Sequence, residues 1–430
     1  MIKLASEAEG AFASFFEEMQ DKGAPKLRAA AWAAFADRGL PNRRIESWHY
    51  TDLKAALSKP APLAKASHAS PALPRAHDSL RLVTLDGVFR PDLSDLARLP
   101  EGVVAQSLRD ALEEGAAEVM TALASADLGV DDAVVALNAA LMQDGVVLRF
   151  APGAKIERAI ELATFASAEA AQSSYTRSLV ILGAGAHATL IETVASLSKA
   201  PAQDNHAMAV RLGAGASLDL VTVFSGDAPE SIRLLSLLAH LEGDAALNSF
   251  ALIEGEGLAR RQLFARLDGE NAKAAFNGAT LGRGRLHADT TLVVDHAKPH
   301  GESRECFRTI LDQQSVGVFQ GKIIVRPGAQ KTDGSMQSKA LLLSENATMN
   351  NKPELEIFAD DVQCGHGATC GRIDKNQLFY LCARGVPRRE AEALLIEGFA
   401  NEAVETLDND ELRAFLSERV GAWLSRRIAG

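Results

Sequence analysis

The sequence predicts a mainly β protein, with a β-helix core set between helical regions at both ends. Three observations carry this. From Asp144 to about residue 373 the chain is a succession of short apolar runs, among them "GVVLRF", "SLVILG", "LDLVTVF" and "GKIIVRPG", divided by glycine turns with alanine or proline. Within it, "ILGAGAHATLIET" at 181 and "RLGAGASLDLVTV" at 211 share L-G-A-G-A at an offset of 30, and "LEGDAALNSFALIEG" from 241 is a looser copy. Helical spacing is confined to the regions before and after. Evenly spaced strand-turn-strand units suggest a solenoid whose coils stack, and small turn residues let them approach. A β-sandwich is the alternative, because the copies diverge outside their turns.

In chain order, residues 1–143 form an N-terminal helical region. "AFASFFEEMQ" and "KLRAAAWAAFADRGL" have helical spacing and stop at Gly39 and Pro41. Residues 58–78, rich in proline, alanine and serine, read as a linker or irregular loop. From about 101 helical spacing returns in "AQSLRDALEEGAAEVMTALAS" and "DDAVVALNAALMQ". The β-helix core occupies 144–373. Residues 374–430 read as a C-terminal helical domain, with Pro387 in a first helical turn and Leu394, Leu395 and Phe399 on one face. On residues alone that face serves internal packing or a partner.

At 430 residues and 47% hydrophobic content the chain has enough apolar mass for a large core. A net charge of -11 argues against a nucleic-acid surface. No run of about 18 apolar residues is present to span a bilayer. The acidic start lacks a signal peptide's apolar segment, and four cysteines clustered late are no disulfide framework. A cytoplasmic protein with reduced thiols is expected.

"GAGAHA" at 183 matches a dinucleotide fingerprint, but β-branched "TLIETV" follows it instead of a helix. No P-loop occurs, so the chain has no ATPase motif of its own. "DHAKPHGESRE" places His296 and His300 near Asp295 and Glu302; a solvated polar loop is preferred to a metal site. "DDVQCGHGATCG" holds Cys364, His366 and Cys370, and Cys370 is expected to be a packed thiol. In a strand, Cys364 and His366 project from one face and suit iron or another borderline metal; Gly365 and Gly367 equally allow a plain turn. Asp360 and Asp361 allow a second reading, a β-helix polysaccharide lyase or hydrolase. Against it, Trp32, Trp48 and Trp423 lie outside the β region, leaving Tyr175 as its clear tyrosine.

The motifs "ESWHYTDL", "HAKPHGES", "DDVQCGHGATCGRID", "QLFYLCARGV" and "EALLIEGFANE" stand in the order and spacing of one family. The chain resembles the SufB/SufD family of iron–sulfur cluster assembly proteins, its SufD branch most closely. Ser338 stands about where the B-type protein has a cysteine, and Gly367 where it has a glutamate after the late histidine. The resemblance implies a right-handed parallel β-helix between N- and C-terminal α-helical domains, serving as a non-enzymatic scaffold subunit. It implies a SufB-like partner bound through the β-helix, and a SufC-like ATPase, which binds the ATP, docked on the C-terminal helices. His366 becomes the leading ligand for iron or a nascent cluster and Cys364 the second. The cluster is transient and held in the complex, not by this chain alone. Arg388, Leu394, Leu395 and Phe399 fall in the implied SufC-docking region. Without partners, a β-helix with open edges allows a homodimer.

Overall fold

The structure, a computed structural model, describes residues 7–74, 77–126, 130–226 and 228–429. Residues 1–6 of the expected N-terminal helical stretch and 75–76 of the expected linker lie outside them. Helices α1 (Glu7–Met19) and α2 (Pro25–Arg38) and the single turn α3 (Leu53–Ala56) open the chain. Helix α2 starts on Pro25, whose missing N–H is no loss in a first turn, and stops at Gly39, which takes φ 67°.

The region before residue 143 also holds strands β1 (Leu80–Leu85), β2 (Val88–Phe89) and β3 (Val103–Ser107), where helix or loop was expected. "LRLVTL" in β1 is buried at all six positions, so no polar alternation marks it as a strand. Ser107, expected within a helix, ends β3 and caps α4 (Leu108–Glu113), its hydroxyl accepting from the Asp110 N–H. Helices α5 (Ala117–Ala126) and α6 (Ala133–Leu141) follow.

From there the chain winds through about eight coils, each giving one strand to each of two facing parallel sheets. The first four coils pair β4 (Val146–Phe150) with β5 (Ile160–Ala166), β6 (Gln172–Leu182) with β7 (His187–Ser196), β8 (Ala202–Leu212) with β9 (Ser217–Phe224), and β10 (Ile232–Leu241) with β11 (Ala246–Gly255). The last four pair β12 (Leu258–Leu267) with β13 (Lys273–Gly282), β14 (His287–His296) with β15 (Glu302–Leu311), β16 (Val316–Val325) with β17 (Asp333–Leu342), and β18 (Thr348–Ile357) with β19 (Gln363–Gly371). The repeated L-G-A-G-A is the turn of this winding. Gly185 and Gly215 both take φ 67°, which a Cβ would strain. In later coils Asp244, Asn271 and His300 hold positive φ, a conformation that Asn, Asp and His tolerate best after glycine.

Parallel register stacks inward side chains into columns along the solenoid. One runs Leu80, Ile160, Leu190, Leu220, Ser249, Phe276, Glu305, Met336 and His366. The two ends differ. Antiparallel strands β2 and β3 terminate the sheets at one end, whereas at the other β18 and β19 each leave a long edge unpaired.

Helices cover both outer faces. Helix α6 and the N-terminal helices pack Phe12, Phe35, Trp48 and Leu137 against Tyr175, Ile232 and Leu234. After β19 come α7 (Lys375–Ala383), α8 (Arg388–Val404) and α9 (Asp410–Ala429). Ile396, Ala400, Val404 and Leu416 seat α8 and α9 on Val221, Phe250, Leu252 and Ile310 of the other sheet. Glu254, receiving Arg419 and Arg426, and Asp312, receiving Arg427, fasten α9.

Candidate functional site

Cys364 and His366 lie two apart on β19 and so face the same way, toward the lumen of the last coil. Cys364 is half-buried against the core, and His366 is exposed because no further coil covers it. The expected strand geometry is the one adopted; Gly365 and Gly367 do not bend it, and a side chain at either would meet open space. Burial raises the Cys364 thiol, opposed by a hydrogen bond to the Gly334 backbone. The thiol is therefore protonated at neutral pH.

Opposite Cys364 in the ladder is Gly334, and a Cβ there would lie 3.4 Å from Ser303 Oγ and 3.5 Å from Cys364 Sγ. Ser303 shares a 3.1 Å hydrogen bond with His296 Nε2. His296 is thus no part of a solvated loop, as its motif led one to expect. It is fully buried at the end of β14, and burial holds its pKa down to about 4. His300 is a turn residue. Glu305, one coil below Met336, is 2% exposed, and desolvation raises its pKa to about 8. The spacing of the motif could reveal these residues but not their burial.

Ser338 points inward and donates to Asn351 Oδ1 at 2.7 Å, a bond between the two sheets. Cys370, expected to be packed, is exposed, because the edge strand has no outer neighbour. All four cysteines are free thiols. Asp360 and Asp361 are both exposed in the turn before β19, where Asp361 pairs with Lys331 and its carbonyl accepts the Lys331 N–H. A turn role accounts for both. Among the described residues no three His, Cys, Asp or Glu side chains form a group that could hold a metal ion. His366 and Cys364 are at most part of a ligand set, at an edge open to another chain.

A second surface lies on the C-terminal helices. Leu395 and Phe399 are half-buried and, with exposed Leu394, line a groove of about 520 Å³ between α8 and the edge of β19. The face expected of α8 is thus split, since Ile396, Ala400 and Val404 take the sheet-facing side. Arg388 is exposed and pairs with Glu392. Sequence reasoning missed Phe379 and Tyr380, 74% and 58% exposed on α7 beside this groove's strand. Their adjacency on a helix, where both cannot face inward, was the available signal. Exposed Arg372, Arg384, Arg388 and Arg389 stand around this groove, interspersed with exposed Asp374, Glu390 and Glu402.

"ESWHY" is architectural. Trp48 is buried with the Arg260 guanidinium 3.7 Å from its ring centre, and its Nε1 donates to Asp132 at 3.2 Å. Arg260 also pairs with Asp289, and Thr51 donates to the same carboxylate. This strap crosses the outer face of one sheet and ends near β18, where Glu46 pairs with Lys352.

Comparison with known proteins matches residues 164–399 to the SufBD core domain of the SUF system for FeS cluster assembly, and residues 12–162 to the SufBD protein N-terminal region. The chain is 31% identical over 392 residues to the iron-sulfur cluster assembly protein SufD of Escherichia coli, covering 89% of each chain. It is 28% identical over 399 residues to a SufBD family protein of Synechocystis, covering 89% of this chain and 87% of that one. To SufD of Bacillus subtilis it is 35% identical over 127 residues, 30% of this chain and 29% of that one.

Proposed function

The chain belongs to the SufB/SufD family of iron–sulfur cluster assembly proteins, and on that premise we propose that it is the SufD-like subunit of a SufB–SufC–SufD scaffold. One observation carries the reading: the solenoid is closed at one end and open at the other, and His366 and Cys364 stand on the open edge. Unpaired edge strands are templates for pairing, and monomeric proteins blunt them. Here β19 is nine residues long with no proline or charged residue, while β18, ten residues long, carries Lys352, Pro353, Glu354 and Glu356 and ends at exposed Ile357, beside exposed Phe358. A SufB-like chain with matching edges would continue both sheets and bring the missing ligands to His366. Neutral imidazole is its contribution to iron or a nascent cluster, with Cys364 as accessory ligand. The cluster is cargo, held between two chains.

The groove of Leu394, Leu395 and Phe399, with Phe379, Tyr380 and Arg388 around it, is the docking region for a SufC-like ATPase. Its apolar floor and rim of mixed charge fit a partner face with apolar residues ringed by charges of both signs. Nucleotide binding by the partner favours one arrangement of the scaffold through differential contacts, and so biases the interface at His366. The chain acts in the cytoplasm as a scaffold, without chemistry of its own.

Anaerobic co-expression with SufB- and SufC-like proteins from one source tests this. The expected result is a stable complex containing all three, which raised salt weakens at the SufC contact. Purification of this chain free of both partners, with the partners present and folded, would contradict it.

A further inference from the structure

Helix α8 carries the groove residues on its outer side, and Glu402, half exposed at the wall of the same groove, also reaches the sheet. Glu402 Oε2 accepts from Arg308 Nε at 2.9 Å and lies 2.8 Å from Arg308 Nη2, with Lys339 Nζ at 3.6 Å. The Arg308 side chain is 4% exposed, and its Nη2 also donates to Gln337 Oε1 at 2.9 Å. Its guanidinium stands 5.9 Å from the centre of the Phe399 ring. One carboxylate of α8 is thereby tied to β15 directly, and to β17 through Lys339 and Gln337.

The rest of the α8 contact is apolar, and such surfaces resist separation more than small sliding. Both Arg308 nitrogens converge on one carboxylate oxygen of half-exposed Glu402, which fixes the place of that oxygen on the sheet. Opening the contact leaves a buried guanidinium with only Gln337 and the Phe307 carbonyl as acceptors, so the clamp resists being pulled apart. Beyond the clamp the path is short. Gln337 and Lys339 stand opposite Gly367 and Thr369 of β19, and Met336, next to Gln337, stands opposite His366.

We propose that Glu402 is a positioning residue that couples α8 to the site strand, passing displacement of the docking helix through Arg308, Gln337 and Lys339 to His366 and Cys364. This rests on the reading that an ATPase docks on α8 and that β19 faces the iron.

The test compares the three-component complex containing wild type or Glu402→Gln for composition, ATP hydrolysis and cluster formed per ATP. Compared per assembled complex, Glu402→Gln keeps ATP hydrolysis within about twofold while cluster per ATP falls about tenfold or more, the size of an ordinary coupling energy. Glu402→Asp, which keeps the charge, recovers part of the yield. An intact complex whose cluster yield per ATP matches wild type overturns the proposal. On the chain alone, amide hydrogen exchange should quicken about fivefold in residues 333–342 and 363–371 with Glu402→Gln, leaving 217–224 unchanged. Uniform acceleration, or none, overturns it as well. If wild type assembles no complex the functional reading fails, and the exchange result still decides the clamp.

Discussion

Glu305 occupies a place that its column gives elsewhere to Ile160, Leu190, Leu220 and Phe276, and its desolvated carboxyl titrates at about 8 against an ordinary 4.5. Between those values the folded chain holds a proton that the unfolded chain has lost, so stability falls as pH rises through them. Glu305→Gln keeps the shape and removes the ionisation. Denaturant unfolding at pH 5 and pH 8 should show wild type weakened at the higher pH by a few kcal/mol, on the order the shift implies, and the variant much less so. An equal loss in both proteins would contradict the burial argument. His296 works in the opposite direction: lowered to about 4 from 6.5, it is kept neutral in the fold, and its contribution is lost as pH falls through that interval. Neither residue reaches the open edge as a ligand. Both are buried beneath the strand that carries Cys364 and His366.

At the scale of elements, two surfaces should separate by mutation. Leu394 is 52% exposed on α8, so Leu394→Asp changes the melting temperature little. By the functional reading it weakens SufC binding about tenfold or more, measured by titration calorimetry, while SufB still co-purifies. Phe358, 59% exposed after β18, should behave the other way: Phe358→Asp loosens the SufB contact and spares SufC. If both variants weaken both partners equally, the two surfaces are not distinct sites. The strap belongs to stability alone. Trp48→Ala removes a buried indole and uncovers Arg260, at a cost of about 3–5 kcal/mol in unfolding free energy, read by chemical denaturation.

Across the whole molecule, the solenoid was legible because its repeat is chemical. L-G-A-G-A recurs where a coil needs left-handed φ and close approach, so Gly185 and Gly215 betray the winding. Strand β1 was not legible, since a strand buried on both faces carries no alternation, and it pairs with β5, about 80 residues later. At the site, the shared face of Cys364 and His366 followed from strand periodicity. The burial of His296 and exposure of Cys370 did not: the first depends on the coils stacked on both sides of β14, the second on where the last coil ends. That same ending is the central claim, a half site on an open edge that a second chain completes. Iron and acid-labile sulfide measured in anaerobically purified material test it most directly, comparing the chain alone, its complex with the SufB- and SufC-like partners, and the same complex carrying His366→Ala. Iron and sulfide are expected in the wild-type complex, with little in the chain alone and a loss of about tenfold or more with His366→Ala. A His366→Ala complex that assembles as much cluster as wild type would contradict it.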